Sequence, residues 1–119
     1  MELAIVDEQG CAPVRVGLAR FTRPTATVRD LIRARAELHW EAERDRVFGD
    51  ADPAVRGFGS LFGDVAKRDD IAGAAERAFL SGQFFLLLDD RQAETLDEEV
   101  DLARTGAATF LLVTPLKGG

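Results

Sequence analysis

With 119 residues, 46% of them apolar, and a net charge of -6, the chain is long enough for a single domain with its own core and lacks the basic excess that binding to nucleic acid requires. One cysteine, Cys11, excludes an internal disulfide framework, and no apolar run reaches membrane-spanning length. The acidic start Met1-Glu2-Leu3 lacks the basic region of a secretory leader, so a cytoplasmic protein is expected.

Leu3 to Val6 reads as a short strand with buried residues on both faces. Glu8-Gln9-Gly10-Cys11-Ala12-Pro13 reads as a turn. Val14-Arg15-Val16-Gly17-Leu18-Ala19-Arg20 alternates, which predicts a second strand with Val14, Val16 and Leu18 on one face and completes a hairpin. After Pro24, Thr27 and Asp30 have the spacing of a capping box, and a helix is expected from there to about Arg46. Its apolar stripe is Val28, Leu31, Ile32, Leu38 and Ala42, with Arg29, Arg33, Glu37 and Glu41 mostly elsewhere. His39 beside Trp40 fits packing or surface better than metal ligation, because no second set of ligands accompanies it.

The segment from about 47 to 82 reads as an insertion. Phe48, Phe58, Leu61 and Phe62 are set among glycines, as in a loop with aromatic anchors. Gly57-Phe58-Gly59-Ser60 is no phosphate loop, since no Gly-Lys-Ser/Thr follows. Asp69 or Asp70 caps an expected helix carrying Ile71, Ala74, Ala75, Ala78 and Phe79, stopped by Gly82. The insertion either packs against the domain edge or forms a docking surface for a partner.

Phe84 to Leu88 is a continuous apolar run and predicts a buried central strand. Asp89-Asp90 makes a turn, and Arg91-Gln92-Ala93 pairs back briefly. Thr95 to Val100 reads as a short capped turn of helix with Leu96 and Val100 inward. Phe110 to Val113 is the last strand, and Pro115, which cannot donate to a ladder, marks where pairing fades. The order predicts an α+β domain, a mixed sheet crossed by one helix. Beyond it runs a tail of about 115–119 ending in Gly118-Gly119, thin enough to enter a narrow channel.

The chain resembles the ubiquitin-like β-grasp family over residues 1 to about 44 and 83 to 119. Gln83-Phe84-Phe85-Leu86-Leu87-Leu88, the Asp-Asp-Arg-Gln-Ala turn, Thr95-Leu96, and Thr109-Phe110-Leu111-Leu112-Val113 follow ubiquitin's order of strand, turn, Thr-Leu pair and last strand. The ending Leu116-Lys117-Gly118-Gly119 has ubiquitin's Leu-basic-Gly-Gly pattern. Pro115-Leu116-Lys117-Gly118-Gly119 is equally similar to the ending of the sulfur carriers of molybdopterin and thiamine synthesis.

The resemblance implies a single ubiquitin-like β-grasp domain over 1–119, with a helical insertion before the third strand. It also implies a chain that is not itself an enzyme. A partner adenylating enzyme, using ATP, would activate the Gly119 carboxylate. Conjugation to target amines would follow, with a conjugating enzyme and a deconjugating peptidase as further partners. The alternative is a thiocarboxylate delivered to a sulfur-accepting biosynthetic enzyme, and a third reading is a plain interaction module. No bound cofactor or metal is implied, and neither nucleic acid nor membrane is a partner.

By the same resemblance, Gly118 and Gly119 form the conjugation or thiocarboxylation site, and Pro115, Leu116 and Lys117 are read by activating enzymes and proteases. Leu87 and Val113 match a partner-binding face, although core strands bury such residues by default. Pro115 replaces the arginine that helps select ubiquitin's activating enzyme. Arg91 stands where ubiquitin has its main chain-forming lysine, and an arginine cannot be that acceptor. Lys67 and Lys117 are the only lysines, which leaves Lys67 as the internal acceptor candidate. Cys11, in a turn with no histidine near it in sequence, is expected to be inert.

Overall fold

The computed structural model describes residues 1–9, 12–44 and 68–113. Cys11, the aromatic loop of the insertion, Lys67, Pro115, Leu116, Lys117, Gly118 and Gly119 lie outside the described residues.

Strands β1 (Glu2–Gln9) and β2 (Ala12–Arg20) form the expected antiparallel hairpin. Its faces differ from the expectation. Ile5 pairs with Gly17 but Val6 pairs with Arg15, so Val16 is an extra residue, a bulge. Side chains alternate along a strand, so this slip puts Val14, opposite Asp7, and Leu18, opposite Ala4, on opposite faces. By the same register Gly17, opposite Ile5, and Ala19, opposite Leu3, lie on the helix side with Val14. A Cβ at Gly17 would stand 3.0 Å from the Leu38 side chain, so its absence lets the helix approach. Strand β1 alternates as well, with Leu3, Ile5 and Asp7 buried and Ala4 and Val6 only half-buried.

Strand β3 (Thr25–Thr27) leads into helix α1 (Val28–Arg44) through the expected capping box. The Asp30 N–H donates to Thr27 Oγ1 at 3.2 Å, and the Thr27 N–H donates to Asp30 Oδ2 at 3.0 Å. Two further N–H groups of the first turn are satisfied from far along the chain. Val28 donates to the Glu98 carbonyl and Arg29 to that of Leu96, each at 2.9 Å. Thr95 to Val100 is therefore not a helical turn. It runs into strand β6 (Glu99–Asp101), which pairs antiparallel with β3.

Helix α2 (Arg68–Leu80) falls in the segment expected to be an insertion. Ile71, Ala75 and Ala78 are buried in the common core, so α2 completes the core alongside α1 rather than decorating an edge. Glu76 accepts from Arg29 at 3.2 Å and from Arg33 at 3.3 Å, pinning the two helices together. Gly82, at φ 75°, ends α2 as expected. The Gln83 N–H returns to the Ala78 carbonyl and that of Gly82 to Phe79, which closes the carbonyl end of the helix.

Strands β4 (Phe84–Leu88), β5 (Arg91–Gln92) and β7 (Ala107–Leu112) complete a five-stranded sheet in the order β2-β1-β7-β4-β5. β7 runs parallel to β1 and antiparallel to β4, so the sheet is mixed and the fold is α+β. Phe84, Leu86, Leu88, Ala108, Phe110 and Leu112 face the helices. Phe110 packs on Phe84 with ring centroids 5.6 Å apart, and Phe79 of α2 reaches Phe84 at 5.8 Å. β4 is thus not buried on both faces. Both helices pack against one side of the sheet, leaving Phe85 exposed and Leu87 half-buried on the other.

Candidate partner face and the root of the tail

The uncovered side of the sheet is built by strand alternation. Val6 on β1, Thr109 on β7 and Leu87 on β4 stand in one cross-strand row, with Arg15 beyond Val6 and Gln92 beyond Leu87. The next row is Glu8, Leu111 and Phe85. Val113 follows Leu111 on the same face, since its N–H continues the ladder to the Gln83 carbonyl at 3.2 Å. Leu87 and Val113, singled out from sequence, therefore share one face, with the Phe85–Leu111 pair between them.

This face is apolar in the middle and polar at its ends. Phe85, Val113 and Leu18 are more than a third exposed, and Leu87, Leu111 and Val6 are half-buried. Burying one such side chain fully contributes on the order of 1.5–3 kcal/mol, so covering several is a sizeable driving force for association. Arg15, Glu8 and Gln92 give it a rim that can hydrogen-bond.

The described part of this face ends at Val113. β7 lies between β1 and β4, held on both sides, and ends at Leu112, one residue before Val113, the last described residue of the chain. The sequence from there to the diglycine is Thr114-Pro115-Leu116-Lys117-Gly118-Gly119.

Arg91 lies on β5 at the border of this region and pairs with Glu98. The Arg91 guanidinium, helped by the Glu94 N–H at 3.0 Å, holds the Glu98 carboxyl below its ordinary value. Arg29 donates to Asp97 at 2.5 Å and is held more firmly protonated by Asp97 and then Glu76. These pairs fix the β5–β6 connection to the N-terminus of α1. Comparisons with protein-family models, with curated proteins and with solved structures find no match. The functional reading therefore rests on the geometry and the residues themselves.

Sequence reasoning missed the buried ion pair of Arg35 and Asp7. Arg35 Nε and Nη2 donate to Asp7 Oδ1 and Oδ2 at 2.8 and 2.6 Å. The signal was present in the spacing. Arg35 and His39 follow Leu31 and Ile32 at helical intervals, and Asp7 follows Leu3 and Ile5 at strand intervals. Both Arg35 and His39 are buried.

Among the described residues, no three His, Cys, Asp or Glu side chains converge on a metal position. Among the same residues, no helix is long and apolar enough to cross a membrane.

Proposed function

We propose that the chain is a ubiquitin-like modifier of the β-grasp fold, activated at its Gly119 carboxylate and conjugated to target amines. The observation that carries this reading is the central position of β7, parallel to β1 in the order β2-β1-β7-β4-β5. A hairpin, a crossing helix and a last strand inserted beside the first is the arrangement that the resemblance implies, and it brings Val113, the last described residue, to one end of the sheet. The apolar outer face bearing Leu87 and Val113 supports it independently, because it supplies a surface for the enzyme that must handle the tail.

The chemistry follows from the weakness of a carboxylate as an electrophile. A partner enzyme joins the Gly119 carboxylate to the α-phosphate of ATP, releasing pyrophosphate and leaving an acyl-adenylate. An amine then attacks the carbonyl, AMP departs, and the amine's proton passes to solvent or to a partner base. The chain provides the electrophile, and the partner provides the catalytic groups. Leu116 and Lys117 lead the diglycine into the partner's channel, with Pro115 selecting which activating enzyme accepts it.

A second reading is favoured by Pro115, which the sulfur carriers share. There a sulfur nucleophile displaces AMP, and the product is a Gly119 thiocarboxylate. Intact mass after incubation with activating enzyme, ATP and acceptors separates the two. An isopeptide-linked adduct stable to reductant supports the modifier, and a gain of one sulfur for one oxygen supports the carrier. Unchanged activity after deletion of Gly118 and Gly119 overturns both.

A further inference from the structure

Opposite charges stand at the two borders of the uncovered sheet face. At one border is Arg15 on β2, in the row of Val6, Thr109, Leu87 and Gln92. At the other, the Ala93 N–H continues the ladder past β5 to the Leu86 carbonyl at 2.8 Å, and Ala93 is buried. Alternation returns the next residue, Glu94, to the outer side, and it lines an open pocket with Phe85 and Gln92. Arg15 and Glu94 are both exposed, and neither forms an ion pair among the described residues. Between the two borders the face is largely apolar, with Phe85 38% and Val113 44% exposed.

β7 is the third of five strands and marks the midline of this face. Two copies packed face to face about a two-fold axis along β7 bring β7 over β7, β1 over β4 and β2 over β5. Val6 of one copy then meets Leu87 of the other, and Leu111 meets its own equivalent near the axis. Arg15 comes over Gln92, one row and about 7 Å from Glu94, a gap that a long side chain covers. Symmetry makes this pair twice. Glu8, the other charge in these rows, has Arg15 as its diagonal neighbour across the hairpin. A two-fold axis at right angles to β7 would instead lay β2 over β2 and set Arg15 against Arg15.

We propose that the uncovered sheet face pairs with the same face of a second copy, β2 over β5, with two Arg15–Glu94 ion pairs flanking an apolar centre. Five strands at about 4.8 Å make a face roughly 24 Å across, at the small end of specific interfaces, so the dimer is weak and reversible. At low concentration the face is open to other partners. The pairing goes beyond the modifier reading, and its test contains no activating enzyme, so the two can fail separately.

The test is sedimentation equilibrium of the full chain from about 10 µM to about 1 mM, at about 0.15 M salt. The mass is expected to rise from that of one chain toward that of two. Arg15→Glu and Glu94→Arg are each expected to weaken association by about tenfold, because each sets like charges together twice in its own dimer. An equimolar mixture of the two variants is expected to recover the wild-type association, since every pair in the mixed dimer joins opposite charges. Circular dichroism checks that these exposed substitutions keep the fold. A wild-type chain that stays monomeric throughout overturns the proposal and leaves the face to a partner of another kind. A mass rising past that of two copies also overturns it. A mixture that associates no better than either variant alone overturns the pairing of β2 with β5.

Discussion

Arg35 on α1 grips Asp7 on β1 through two parallel hydrogen bonds, with the Arg35 side chain fully buried and that of Asp7 only 7% exposed. Removing one member leaves a buried charge without its counter-ion, which costs about 3–5 kcal/mol. Asp7→Ala and Arg35→Ala are each expected to lose stability on that scale in urea unfolding. The double change Asp7→Val with Arg35→Met is expected to recover most of it, because the two desolvation penalties vanish together. Equal losses in single and double variants would show that the pair is not the unit of stabilisation.

Glu98 gives a pH dependence of definite sign. Its carboxyl is held below the ordinary 4.5 by Arg91 and by the Glu94 N–H. A group with a depressed folded-state value stabilises the fold above its unfolded value and loses that contribution as pH falls through the folded one. The stability difference between wild type and Glu98→Gln is therefore expected to be constant at neutral pH and to shrink below about pH 4.5. Unfolding midpoints measured across that window check it. A gap that widens on acidification contradicts the assignment.

Gly82 holds a left-handed conformation at φ 75°, where a side chain is strained whatever space surrounds it. Gly82→Ala is expected to cost about 1 kcal/mol, by the usual penalty for a Cβ there. Because the turn seats Phe79 against Phe84, amide exchange in the last turn of α2 should accelerate more than exchange in β1. Uniform acceleration would mean that the turn has no local role.

The outer face can be tested apart from the fold. Val113→Ser is expected to change stability by no more than roughly 1 kcal/mol, since the residue is already exposed. Under the proposed modifier reading, binding to an adenylating enzyme that accepts the chain is expected to weaken by about tenfold or more, as it does when an apolar anchor is lost from an interface. Val14→Ser, equally exposed but on the opposite face of β2, is the control and should bind normally. Equal loss from both variants points to a change in the whole sheet rather than to a docking site.

Much of the fold was legible where a pattern ran long enough to show its period. The hairpin, α1 with its Thr27–Asp30 box, α2 with its Gly82 stop, and the strands at Phe84 and Phe110 all follow from local spacing. The strands Thr25–Thr27 and Glu99–Asp101 did not, because three residues carry no period and each is fixed by the other from more than seventy positions away. Leu96 and Glu98 looked like a helical turn because their role, capping α1 with carbonyls, has no side-chain signature. The bare side of β4 was misread for a related reason. An apolar run signals covering on both faces, whereas Phe85 and Leu87 point to a side that neither helix reaches. Of the functional residues, Leu87 and Val113 could be placed together only through the β4–β7 register. The role of the tail comes from sequence and resemblance.

The extra residue at Val16 has a consequence for behaviour at high concentration. β2 is the long outer border of the sheet, and a straight border invites a neighbouring molecule to add its own strand. The kink breaks that border into two misaligned halves, while the opposite border, β5, is only two residues long. Along these two borders of the described sheet, a neighbouring molecule therefore meets no long unbroken run of backbone groups to pair with.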